Sequence, residues 1–134
     1  MIQNILSIGG EIMEGKTGEK KQNAYSNGLW AGDLFFMSGI LGINNQLINN
    51  QDICGEMKNA FEKARDILKK EGLTLKNVIS SRIYIKNIDE FVKVDETYRN
   101  FFSEPYPTRA MVEVSNLATN ANIEIVLVAY RKAT

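Results

Sequence analysis

The sequence has no histidine among its 134 residues, one cysteine and two prolines. Without histidine there can be no Ser-His-Asp triad, no Cys-His nucleophile pair and no histidine-ligated zinc. Cys54 can close no bridge within the chain and supplies no thiolate cluster, so a reducing, cytoplasmic compartment is the expectation. No apolar run approaches the ~18 residues that cross a bilayer, and residues 1–21 lack a basic-then-apolar leader pattern. Neither a Walker-type nor a GxGxxG loop occurs. Net charge is also missing: sixteen basic and sixteen acidic residues cancel, which argues against a nucleic-acid partner. The densest basic run, Lys16 to Lys21, is broken by Gly18 and Glu19 and reads as a solvated loop. Acid–base chemistry in such a chain falls to carboxylates, tyrosines, lysines, backbone groups or water.

An apolar content of 44% is ordinary for a globular protein, and the length fits one domain over residues 1–134 with a core that needs no disulfide. Residues Asn4 to Ile8 have the makings of a short strand. Tyr25 to Ala31 and Leu34 to Ile40 read as two strands joined by the turn Gly32-Asp33. Leu34 to Met37 is apolar without a break, as in a strand covered on both faces. Gly39 interrupts the second strand, which marks a bulge, a close approach by a ligand or backbone, or simply the strand's end.

The period then changes. Ile53, Met57, Ala60, Phe61, Ala64, Ile67 and Leu68 recur at three and four residues, an amphipathic helix capped by Asp52 and ended at Gly72. Val78 to Lys86 alternates, with Ile79, Ile83 and Ile85 expected on the core face. A second helix opens at Asn87-Ile88-Asp89, with Phe91, Val94, Tyr98, Phe101 and Phe102 as its expected buried stripe, and must end before Pro105. Ala110 to Val114 and Ile123 to Tyr130 are β-branched, apolar strands, linked by a stretch rich in turn residues and expected to lie near each other in one sheet. Arg109 stands at the mouth of the first and Glu124 near the start of the second, where acid and guanidinium could meet. The order strand, strand, helix, strand, helix, strand, strand predicts an α+β fold: one mixed sheet with both helices on one face. The other face, with Tyr84, Tyr130 and the apolar members of the last strand, is too greasy to leave wet, which predicts a homo-oligomer.

Several of these segments together resemble the reactive-intermediate deaminase family (Rid, or YjgF). They are Tyr25-Ser26-Asn27-Gly28, Ala31-Gly32-Asp33-Leu34, Met37-Ser38-Gly39, Pro107-Thr108-Arg109, Val112-Glu113-Val114 and Ile123-Glu124-Ile125. Their order and spacing match from about residue 24 to residue 131, and the fifteen-residue step from Arg109 to Glu124 is the most specific part. The resemblance implies a chorismate-mutase-like fold, a homotrimer with sites in clefts between subunits, and no metal or organic cofactor. It also implies hydrolysis of enamine or imine intermediates, such as those from 2-aminoacrylate, to a 2-keto acid and ammonia.

Carried over by position, Arg109 matches the arginine that holds the substrate carboxylate, a task suited to a guanidinium fork. Glu124 matches the glutamate associated with the attacking water. Tyr25 matches a pocket tyrosine, and the Ser38-Gly39 backbone lines the same pocket. Met111 stands where many members have cysteine; its plain role is to fill space, although its backbone N–H can contribute to the site. Ala24 replaces a common proline and Val126 a second acidic residue. Asp95 replaces a common asparagine, so it would repel an anionic substrate unless it faces elsewhere or recognises an amine. These departures leave a specialised relative open, such as one resembling 2-aminomuconate deaminases. A non-catalytic carboxylate-binding protein and an RNA-directed member are the other readings.

Overall fold

The structure is a computed structural model, and it describes residues 13–14, 20–21, 23–43 and 52–132. The strand expected at Asn4 to Ile8 lies outside the described residues. Two short strands, β1 (Met13–Glu14) and β2 (Lys20–Lys21), pair antiparallel as a separate ribbon. Part of the basic run read as loop is therefore strand.

The main sheet has six strands: β3 (Gly28–Ala31), β4 (Leu34–Met37), β5 (Ile40–Leu41), β6 (Val78–Ile85), β7 (Thr108–Glu113) and β8 (Ile123–Tyr130). Their order is β3-β4-β8-β6-β7, with β5 also on β8 beyond the end of β4. β6 is parallel to β7 and antiparallel to β8, so the sheet is mixed. β7 and β8 share a sheet as expected, but they are not neighbours, because β6 stands between them. A parallel pair needs a crossover, and α2 (Phe91–Arg99) supplies it between β6 and β7. The longer helix, α1 (Ile53–Lys70), makes the corresponding crossing between β5 and β6.

Each helix is set by its sequence. Asp52 caps α1, its carboxylate accepting from Gly55 N at 2.9 Å, while Lys69 and Lys70 sit in the last turn and Gly72 takes a left-handed φ of 77° beyond it. Met57, Phe61, Val94 and Tyr98 from the helices meet Ile83, Ile125 and Leu127 from one sheet face, forming one core. Ile123, Ile125, Leu127 and Ala129 alternate inward along β8 as period two requires.

Three expectations about buried faces need correction. Ile79 is 44% exposed, because a register shift between Val78 and Ser80 adds a residue to β6 and turns Val78 and Ser81 inward instead. Phe91 is also exposed, since the first turn of this element is a 3-10 helix at Ile88–Glu90 and α2 begins only at Phe91 itself. Phe101 and Phe102 lie beyond the helix end but still pack on the core. Nor is Leu34 to Met37 covered on both faces: Phe35 and Met37 are buried, whereas Phe36 is 47% exposed. Phe36 shares the helix-free face with its register partners Leu29 and Val128, and Val112 and Tyr84 are paired further across that face. Leu29, Phe36, Val112 and Tyr130 all remain exposed in the single chain.

Among the described residues one carboxylate is fully buried. Glu56 is fully buried on the apolar stripe of α1 and accepts from both the backbone N (2.8 Å) and the side-chain amide of Asn122. On the same helix Asn59 donates to Gly42 O, and Lys63 to Leu41 O and Ile43 O. Helix α1 thus clasps the end of β5 and the entrance to β8. Glu56→Ala would leave the part-buried Asn122 donors without their acceptor, at a cost of about 1–3 kcal/mol, and Glu56→Gln should cost less. Urea midpoints of the two variants measure the difference.

Candidate functional site

The residues singled out in the sequence fall into two groups on opposite sides of the sheet. The first centres on Glu124, the second residue of β8, whose neighbours Ile123 and Ile125 point into the core. Alternation therefore sends Glu124 to the helix-free face. There its carboxylate lies against Gly39, in the break between β4 and β5, and a methyl group added at Gly39 would overlap it. Gly39 thus lies at a strand's end, one of the readings the sequence left open, and what comes close to it is a side chain and not a ligand or backbone. Any larger residue would evict the acid. Ser38 ties this break to the preceding segment, its hydroxyl donating to Ser26 O at 2.6 Å and its N–H to Asn27 O at 3.0 Å. Tyr25, 43% exposed, precedes that segment. Ser38, Gly39 and Glu124 thus belong to one neighbourhood, with Tyr25 next in the chain to the Ser26 that Ser38 bonds.

Among the described residues no cation or donor bonds the Glu124 carboxylate. Burial without such a partner disfavours its charged form and raises its pKa above the usual glutamate range. An acid so placed holds a proton more firmly than an exposed glutamate and is a candidate for proton transfer.

The second group lies across the sheet. Arg109 pairs in register with Ser81 on β6, and Ser81 is buried on the helix side. The Arg109 guanidinium reaches under α2, with Nη1 donating to Asp95 Oδ1 at 2.8 Å and Cζ lying 4.7 Å from the Tyr98 ring centre. The other Asp95 oxygen accepts from Arg99 Nε at 3.0 Å. Asp95, Tyr98, Arg99, Tyr106, Pro107 and Arg109 together line an open cavity of about 260 Å3. Tyr98 is fixed from behind by a 2.8 Å hydrogen bond with Ser81 Oγ. Arg109 first, then Arg99, holds the Asp95 carboxyl below the ordinary carboxylate range by hydrogen bonding.

Arg109 and Glu124 therefore do not meet within one chain. Arg109 is level with Leu127 through Ser81, three residues from Glu124 along β8 and two strands across, about 14 Å between backbones by sheet spacings. Their side chains also leave opposite faces. The partner of Arg109 is Asp95, which the sequence placed near the pocket without fixing its contacts. Met111 is on the helix-side face of β7 and packs against the core, the space-filling role. Sequence reasoning missed Tyr98, Arg99 and Tyr106 as parts of the cavity. Arg99 was detectable as the i+4 partner of Asp95. Cys54 is half-buried in α1 with Sγ at 3.7 Å from Lys93 O, a packing position.

Because the pKa of Glu124 is raised on folding, the neutral form is favoured. Stability is then complete below the unfolded pKa, near 4.5, and is lost as pH rises through the folded value. Glu124→Gln, which never ionises, should unfold at higher urea than the wild type at pH 7.5, with the two converging toward pH 4. A less stable variant at pH 7.5 would reveal a stabilising partner for the carboxylate.

Comparison with known proteins identifies the family and supports the fold. A family model described as Endoribonuclease L-PSP matches residues 17–131. A RutC family protein of Pyrococcus horikoshii is 32% identical over 124 residues, covering 91% of this chain and 98% of that protein. A 2-iminobutanoate/2-iminopropanoate deaminase of Dermatophagoides farinae is 29% identical over 104 residues, covering 75% and 80% respectively. The crystal structure of a putative endoribonuclease from Thermotoga maritima superposes with a TM-score of 0.76 at 28% identity, over 83% of this chain and 89% of that one. With a match that spans nearly the whole mixed sheet, both helices and both groups of site residues, the chain belongs to the RutC/YjgF/Rid family.

Proposed function

We propose that the protein is a hydrolytic deaminase of small enamine and imine carboxylates, with each site assembled from two copies of the chain. The observation that carries this reading is the split site. A guanidinium in an open cavity lies on one side of the sheet, and a half-buried acid with no bonded partner among the described residues lies on the other, in a face whose apolar side chains are exposed. Covering that face with further copies, as a homotrimer does, buries Leu29, Phe36 and Tyr130 and gives the Glu124 group a neighbour able to complete it. The imine deaminase name of a relative points to the same chemistry.

In this reading Arg109 of one copy grips the substrate carboxylate, and the enamine tautomerises to the imine, whose nitrogen is protonated. Glu124 of the neighbouring copy orients a water, takes one of its protons as the oxygen adds to the imine carbon, and returns it to the nitrogen. Collapse of the resulting carbinolamine breaks the C–N bond while the Glu124 carboxylate takes the hydroxyl proton, which releases a 2-keto acid and ammonia and leaves the proton to pass to ammonia or solvent. Imines hydrolyse readily in water, so positioning and charge stabilisation are enough and no strong nucleophile is required. That suits a chain without histidine. The nuclease wording of the family model finds less support in a chain of balanced charge.

The test is release of 2-keto acid from 2-aminoacrylate generated in situ. Wild type should accelerate it, while Arg109→Ala and Glu124→Gln should each lose about a hundredfold or more. A wild type without effect on that substrate, yet binding keto acids through Arg109, would contradict the proposal and favour a carboxylate-binding protein.

A further inference from the structure

The guanidinium that would receive a substrate carboxylate already holds a carboxylate of its own. Asp95 Oδ1 accepts from Arg109 at 2.8 Å and Asp95 Oδ2 from Arg99 at 3.0 Å, and all three side chains line the same cavity. Aromatic rings fix both arginines: Arg109 lies 4.7 Å from the Tyr98 ring centre and Arg99 lies 5.8 Å from that of Tyr106. Asp95 is therefore held at the place where a ligand would bind, and only 22% of its side chain is exposed.

A ligand with only a carboxylate meets two opposed effects there. Arg109 attracts it, but the Asp95 charge one hydrogen bond away repels it, and displacing Asp95 exchanges one carboxylate–guanidinium contact for another with little gain. A ligand with a cationic nitrogen beside its carboxylate meets no such opposition. Its two ends match the adjacent Asp95 and Arg109 charges, so one internal ion pair is exchanged for two with the ligand.

We propose that Asp95 is a specificity-determining residue, which makes this pocket prefer small α-nitrogen zwitterions (amino or iminium acids) over 2-keto acids of the same skeleton. The inference rests on the deaminase reading for its consequence: hydrolysis removes the cationic nitrogen, so Asp95 sorts substrate from product and speeds the departure of the keto acid. Asp95 and Arg109 sit on one chain, so the preference itself requires no particular assembly.

The experiment is calorimetric titration of the full-length protein with 2-aminobutyrate and 2-oxobutanoate, which share a carbon skeleton and differ in the nitrogen. Wild type should bind the amino acid more tightly. Asp95→Asn, which keeps the shape and removes the charge, should shrink the amino-to-keto affinity ratio about tenfold or more, mainly by tightening the keto acid. Asp95→Ala should shift the ratio in the same direction, and Arg109→Ala should lose both ligands. An unchanged ratio in both Asp95 variants overturns the proposal, as does a wild type that binds neither ligand. Keto acid release assayed alongside separates the two claims: an inactive wild type with an Asp95-dependent ratio refutes the deaminase reading and leaves the selection standing. An active one with an Asp95-independent ratio does the reverse.

Discussion

Strand β6 is hydrogen-bonded to β7 on one side and to β8 on the other, parallel to the first and antiparallel to the second. Arg109 and Glu124, the charged members of the two groups, take their places from that arrangement. Because Ser81 faces the helices, its partner Arg109 does too, and the guanidinium is brought under α2 onto Tyr98 and Asp95. Because Ile123 and Ile125 face the helices, Glu124 between them cannot. Period two in a strand leaves no intermediate choice. The fold therefore separates the two charged groups most suggestive of chemistry, and a substrate small enough to be held by both requires a second copy of the chain on the proposed reading.

Electrostatics differ on the two sides. On the helix side, charges are paired: Asp95 is shared between two guanidiniums and its acidity is increased. On the open side Glu124 pushes a carboxyl against Gly39 with burial as the cause of its raised pKa. Environments that push two carboxyls in opposite directions assign them different work. Asp95 stays ionised and can recognise charge, while Glu124 can exchange a proton. Elsewhere, Glu56 has a structural part, clasping Asn122 at the entry to the strand that carries Glu124.

Much of this was legible in the sequence. The cap at Asp52, the left-handed Gly72, the period-three-and-four stripe of α1 and the alternation of β8 are local signals that the sequence carries and that packing preserved. Gly39 was legible in part: the strand does end before it, but what comes close is the Glu124 side chain and not the ligand or backbone expected there. What failed was non-local. The extra residue near Ile79 shifts the inward face of β6, and the partner strand that reveals it lies about fifty residues away. The neighbour relation of β7 and β8 depends on which strand enters between them, which turn chemistry does not encode. Glu56 was readable in principle: it falls three residues after Ile53 and four before Ala60, on the stripe itself, where an acid needs a buried partner. Asp95 with Arg109 joins a helix to a strand and needed the fold.

The claim that the two halves of a site come from different copies can be tested by mixing. Arg109→Ala and Glu124→Gln chains, each inactive alone, are unfolded together, refolded, and assayed for keto acid release. If sites form between copies, random mixing leaves about a quarter of the interfaces with an intact arginine facing an intact glutamate, and activity returns to about that fraction of wild type. If each chain carried its own complete site, the mixture would stay as inactive as its parts.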